Sequence, residues 1–74
     1  MKVERLVGKV FSIDPEKVSD STSRESIEEW DSMGHLTLVM ELEREFSINF
    51  AIDDTLEMTE VGKIKEVLKR YGVV

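Results

Sequence analysis

The chain contains no cysteine, which removes disulfide staples, thiolate metal sites and a cysteine nucleophile, and leaves any thiol chemistry to a group attached from outside. It has one histidine, His35, so no metal site or catalytic dyad can be built from histidines. There is no glycine-rich phosphate loop, no nucleophile paired with a base and no metal-ligand cluster, which argues against an enzyme. No internal repeat or low-complexity segment is visible. No apolar run approaches the roughly 20 residues needed to cross a bilayer, and no charged segment leading into a long apolar stretch opens the sequence. These absences predict a soluble cytoplasmic protein without stable membrane insertion. With 74 residues, a single domain over 1–74 is expected, near the lower limit for an unaided apolar core and too small for a deep catalytic cleft.

Charge is present in excess and unevenly spread. Residues 25–60 hold 11 acids against one base, Arg44, for a net charge of −10, while the remainder carries five acids and nine bases, a net of +4. An acidic middle segment steers toward basic partners and is poorly suited to nucleic acid.

Val3, Leu6, Val7, Val10 and Phe11 recur at helical spacing and predict a first helix. Asp14-Pro15 is a helix-start signal sufficient for about one turn. From Val18 to Glu29 the chain is polar and contains four serines. A connection this long in so small a domain points to function or mobility, with Ile27 and Trp30 as its tethers. A second helix is predicted over Ser32–Phe46, carrying Met33, Leu36, Leu38, Val39, Met40, Leu42 and Phe46 on a wide apolar arc. Ile48 to Ile52 alternates imperfectly, and with no second strand to pair it reads as extended loop. Asp53 is expected to cap a short helix through Leu56 or Met58. Thr59 is expected to cap a last helix through Tyr71, with Val61, Ile64, Val67, Leu68 and Tyr71 facing inward, Lys69 and Arg70 complementing its dipole and Gly72 ending it. The fold class is all-α: a small four-helix bundle, three main helices and one short, with a long first loop.

The run Glu28-Glu29-Trp30-Asp31-Ser32-Met33-Gly34-His35-Leu36 lies where that polar loop becomes the second helix. Asp31 reads as N-cap and Ser32 as first helical residue, and Trp30 can pack back on the bundle to fix the angle at which the chain enters the helix. A helix start leaves backbone N–H groups without partners and carries partial positive charge, so Ser32 is a candidate attachment point for a phosphate-linked group. The other serines lack both the preceding aspartate and the helix start.

Asp31-Ser32-Met33 at the head of this helix resembles the modification site of the acyl carrier proteins. The resemblance extends from the first helix through Ile13-Asp14-Pro15-Glu16-Lys17-Val18 to Met58-Thr59-Glu60-Val61-Gly62-Lys63-Ile64, nearly the whole chain. It implies that a separate phosphopantetheinyl transferase attaches 4'-phosphopantetheine to Ser32, whose terminal thiol then holds acyl groups as thioesters for fatty-acid, polyketide or lipid biosynthesis. It also implies that Asp31 helps position the transferase and that Met33 contacts partners or the root of the arm. Glu41, Glu43, Glu45, Asp53, Asp54 and Glu57 would present a docking face to the basic patches of acyl-loading and acyl-processing enzymes, with the carrier itself a monomer.

Each residue also has a plainer reading. Asp31 also reads as a simple N-cap, worth about 1 kcal/mol. Leu36 fits the apolar period and is expected in the core, Met33 is balanced between core and surface, and His35 is expected to be a solvated surface residue. The acids can be a solvated face. Val7, Leu38, Val39, Met40, Leu42, Phe46, Ile48, Phe50, Ile64 and Leu68 can be a packed core or can open for an acyl chain, with Met40 and Met58 as adaptable members. Gly34 and Thr37 stand where acids are common in the resembled family, Arg44 where glutamate is frequent and Ala51 where proline is common, which favours a specialised carrier. A D-alanyl carrier, similar at Trp30-Asp31-Ser32-Met33-Gly34, and an unmodified acidic helical docking module remain as alternatives.

Overall fold

The first apolar stripe forms α1, Lys2–Phe11, which buries Val3, Leu6, Val7 and Phe11. A computed structural model describes residues 2–74, and among these all regular structure is helical. After α1 come a 3-10 turn over Pro15–Lys17, then α2 over Ser32–Phe46, α3 over Ile52–Glu57 and α4 over Val61–Arg70. The predicted small bundle with one short helix is therefore the fold. No helix among the described residues is long and apolar enough to cross a membrane.

The core is built from the α1 stripe, Leu38, Val39 and Leu42 of α2, and Val61, Ile64, Val67 and Leu68 of α4. Val18, Ile27, Trp30 and Met58 are added from the connections, all buried. Asp14 caps the 3-10 turn as expected, its carboxylate accepting from Glu16 N at 3.0 Å. The helix α2 ends in a left-handed Ser47, φ 54°, whose backbone N–H donates to Glu43 O. Ser47→Gly relieves the Cβ clash of that conformation and is expected to stabilise the fold by about 0.5–1 kcal/mol, net of glycine's added chain entropy, read as a rise in thermal midpoint.

The long polar loop is fastened to the start of α4, which corrects the expectation that Thr59 caps this helix. Glu60 occupies the N-cap position without a side-chain cap bond. Instead Val61 N donates to Thr22 O at 2.9 Å and Gly62 N to Asp20 O at 2.8 Å, so loop carbonyls satisfy the unpaired donors of the helix. Thr59 accepts from Arg24 N at 3.1 Å, and Ser23 bridges to Glu60. The same helix ends at Arg70, with Tyr71 as C-cap and Gly72 at φ 74° beyond it.

Lys65 of α4 clamps the arrangement, donating to Glu4 of α1 and Asp20 of the loop, both at 2.6 Å. Burial works to raise the Glu4 carboxyl, but the hydrogen bonds it receives, that of Lys65 foremost, outweigh this and hold it below its ordinary value. Hydrogen bonds to Asp20 and Glu4 hold Lys65 above its ordinary range. Stability from Glu4 is present above its unfolded value of 4.5 and is lost as pH falls through the lowered folded value. Stability from Lys65 is present below its unfolded value of 10.5 and is lost as pH rises through the raised folded one. Thermal midpoints measured against pH should therefore form a plateau that falls at both ends, and Lys65→Met should shrink the alkaline fall.

The short helix α3 starts two residues earlier than expected. Ala51, not Asp53, is its N-cap, because the Ala51 carbonyl already accepts from Asp54 N and Thr55 N at 3.0 and 3.2 Å. It buries no side chain and is held by polar contacts. Tyr71 OH donates to Asp54 Oδ2 at 2.6 Å and accepts from Ala51 N at 2.9 Å, while Arg70 reaches Glu57 at 2.7 Å and Asp54 at 3.3 Å. The bond to Asp54 pushes the Tyr71 phenol above its ordinary value. Between α2 and α3 residues 48–51 form no regular structure, while Ile52, read as the end of that loop, is instead the first residue of α3, and Phe50 stands edge-on to Tyr71 at 5.2 Å.

Candidate functional site

The start of α2 is fixed from beneath by Trp30, only 1% exposed. Its indole stacks on Phe11 at 5.4 Å and beside His35 at 6.3 Å, so the chain enters the helix against an aromatic wedge. Asp31 is the N-cap, its carboxylate accepting from Gly34 N at 2.8 Å and its carbonyl from His35 N at 2.8 Å. Gly34 lies so close to the preceding turn that a Cβ would come within 2.2 Å of Glu29 O and 2.9 Å of Phe11 Cε1. Its place where the resembled family favours an acid thus has a packing cause.

Ser32 is exposed at the first helical position and Asp31 does the capping, so the serine hydroxyl is left outward. The N–H groups of Gly34 and His35 are engaged by Asp31. Those of Ser32 and Met33 have no intrahelical acceptor by the geometry of a helix start. A phosphodiester on Ser32 would find these donors and the positive end of a 15-residue helix.

The outer face of α2 corrects the apolar arc read from sequence. Met33 is 77%, Leu36 58% and Met40 59% exposed, so neither Leu36 nor Met40 joins the core. The buried stripe Leu38, Val39 and Leu42 and the outward stripe Met33, Leu36 and Met40 lie on opposite sides, each at helical spacing. Phe46, Ile48 and Phe50 are half-buried against the core, and Val7, Ile64 and Leu68 are inside it. Ile52 and Leu56 of α3 are also exposed.

His35 is a junction and not a solvated residue. Trp30 Nε1 donates to its Nδ1 at 2.9 Å, which leaves the proton on Nε2, and Nε2 donates to Thr55 O at 2.8 Å. One neutral imidazole therefore joins the end of the loop, the first turn of α2 and the body of α3. A signal for this was present, because His35, Leu38, Val39 and Leu42 fall at i, i+3, i+4 and i+7 and place His35 at the edge of the buried stripe.

Asp31, Ser32 and Met33 are brought together at one corner, whereas the six nominated acids are dispersed. Glu41 and Glu45 reach across to Lys9 at 3.8 Å and Lys2 at 3.5 Å of α1. Glu43 accepts from Phe50 N at 2.8 Å. Asp54 and Glu57 are engaged by α4, and Asp53 is exposed in the first turn of α3. The surface pairs are worth little, while the Glu43 and Asp54 bonds tie backbone and phenol in place. Chemically, the arrangement offers an outward hydroxyl on a rigid corner with an apolar face running along the helix behind it. No family model matches the sequence, and no curated protein matches it.

Proposed function

We propose that this chain is a carrier domain that accepts 4'-phosphopantetheine on Ser32 and presents acyl groups to partner enzymes. The observation that supports this most is the Ser32 corner: an exposed hydroxyl at the first position of a 15-residue helix, capped by another residue and set against a buried tryptophan. When bound, the prosthetic group supplies the thiol that the cysteine-free chain lacks. The protein's part is mechanical and electrostatic. Trp30, Gly34 and the Asp31 cap keep the corner from yielding when a transferase reaches it, and the helix start favours the phosphate.

Partner contact in this reading uses the Met33, Leu36 and Met40 stripe, which is continuous with Ser32 and offers apolar area that burial can exploit. The acids act at longer range. Glu45, Asp53 and Glu57 are exposed and contribute to steering basic partners, while Glu43 and Asp54 are engaged in bonds that hold the fold.

The test is incubation with coenzyme A, Mg2+ and a broad-specificity phosphopantetheinyl transferase, followed by intact mass. The wild-type protein is expected to gain one phosphopantetheine and the Ser32→Ala variant none. No gain by folded protein, with a known carrier modified in parallel, would overturn the proposal. Leu36→Asp, which leaves the core untouched, is expected to slow transfer about tenfold or more by placing an unpaired charge in the contact face, with an unchanged thermal midpoint.

A further inference from the structure

The outward face of α2 carries a second reactive chemistry. Met33 and Met40 stand two turns apart on one side of the helix with Leu36 between them, at 77% and 59% exposure, whereas Met58 is 0% exposed in the core. A thioether is the one oxidisable side chain available to a face without cysteine. We infer that Met33 and Met40 are a paired site of reversible oxidation by hydroperoxides, and that their sulfoxides block docking at the Ser32 corner while leaving the fold intact. This rests on the carrier reading for its functional consequence.

In the reaction the thioether sulfur attacks the outer peroxide oxygen and the O–O bond breaks. Sulfur gains one oxygen and is oxidised by two electrons. The peroxide is reduced to water, or to an alcohol if it is an alkyl hydroperoxide, and no proton is left over. The product replaces a flexible apolar group with a polar sulfinyl oxygen. On a face that a partner must dry in order to reach Ser32, that oxygen is a hydrogen-bond acceptor taken from water without a replacement. Neither side chain belongs to the core, so packing is not disturbed.

The experiment treats folded apo-protein with hydrogen peroxide, quenches at intervals and maps oxygen gain by peptide mass. Met33 and Met40 are expected to be oxidised about tenfold or more faster than Met58, in keeping with their exposure. Protein oxidised at both positions should retain its helical circular dichroism and thermal midpoint, yet accept phosphopantetheine about tenfold more slowly, and treatment with both methionine sulfoxide reductases should restore the rate. The doubly substituted Met33→Leu, Met40→Leu variant, measured against its own untreated rate, should keep that rate after peroxide. Oxidation of Met58 in step with the other two, or an undiminished transfer rate after oxidation of both, would overturn the inference. If untreated protein accepts no phosphopantetheine, the carrier reading falls and takes the docking consequence with it, an outcome that the untreated sample separates from the others.

Discussion

Gly34→Ala is expected to destabilise the fold by about 2–3 kcal/mol, although helix propensity alone would have it stabilise by about 1 kcal/mol. Gly34 sits in the first turn of a 15-residue helix, where alanine is ordinarily the better residue. The added methyl would stand 2.2 Å from the Glu29 carbonyl and 2.9 Å from the Phe11 ring. The first of these is backbone, which cannot swing aside as a side chain can. The start of α2 must therefore lift away from the loop, opening the Phe11–Trp30 stack, and overpacking of this kind outweighs a propensity gain. The effect should reach function through the same movement, because Ser32 lies two residues away. Urea unfolding gives the stability change, and transfer of phosphopantetheine to the folded fraction should be slowed as well. A Gly34→Ala protein as stable as wild type would mean that the loop does not rest against this turn.

Second in expected size is the loss of the imidazole junction. His35→Phe keeps a flat ring beside Trp30 but removes the acceptor for a buried indole N–H and the donor to the Thr55 carbonyl. An unsatisfied buried donor and one lost bond together should cost about 2–4 kcal/mol. Trp30→Phe removes the donor and some packing volume. In the double variant the indole penalty no longer applies, so the two changes should cost about 1–2 kcal/mol less together than the sum of each alone. Hydrogen exchange adds a spatial check. The helix α3 buries no side chain and is held by polar contacts, so its amides should exchange faster in His35→Phe than global destabilisation explains, whereas α4 amides follow the global change. Strict additivity, or uniform loss of protection, would contradict the junction.

How much of this could be read in advance depended on the interaction concerned. The stripe Val3, Leu6, Val7, Phe11 and the series Val61, Ile64, Val67, Leu68 were legible because one-sided helices write their burial into their period. The Asp31 cap and the Ser32 start of α2 were legible because capping is a local bond between near neighbours in sequence. The same logic failed at Thr59 and Asp53. At α4 the donors are satisfied by carbonyls of Asp20 and Thr22, some forty residues away, and no local signal reports them. At α3 the Ala51 carbonyl starts the helix, with its N–H held by Tyr71 from the far end of the chain. Leu36 and Met40 were misplaced because α2 carries apolar residues on two opposite sides, which composition merges into one arc. His35 was misplaced because a lone polar residue was judged by type, when its spacing with Leu38, Val39 and Leu42 put it at the core edge. The acids were read as one face because they are close in sequence, yet they turn toward α1, the following loop and α4.

On the carrier reading, Ser32 alone among the seven serines takes the phosphopantetheine. The most direct test is to digest the transferase-treated wild-type protein and sequence by mass the peptide that carries the group. The expected result is one phosphopantetheine, stoichiometric with protein, on Ser32. A group on any other serine, or an unmodified Ser32 peptide from folded protein under conditions that load a known carrier, would contradict the account.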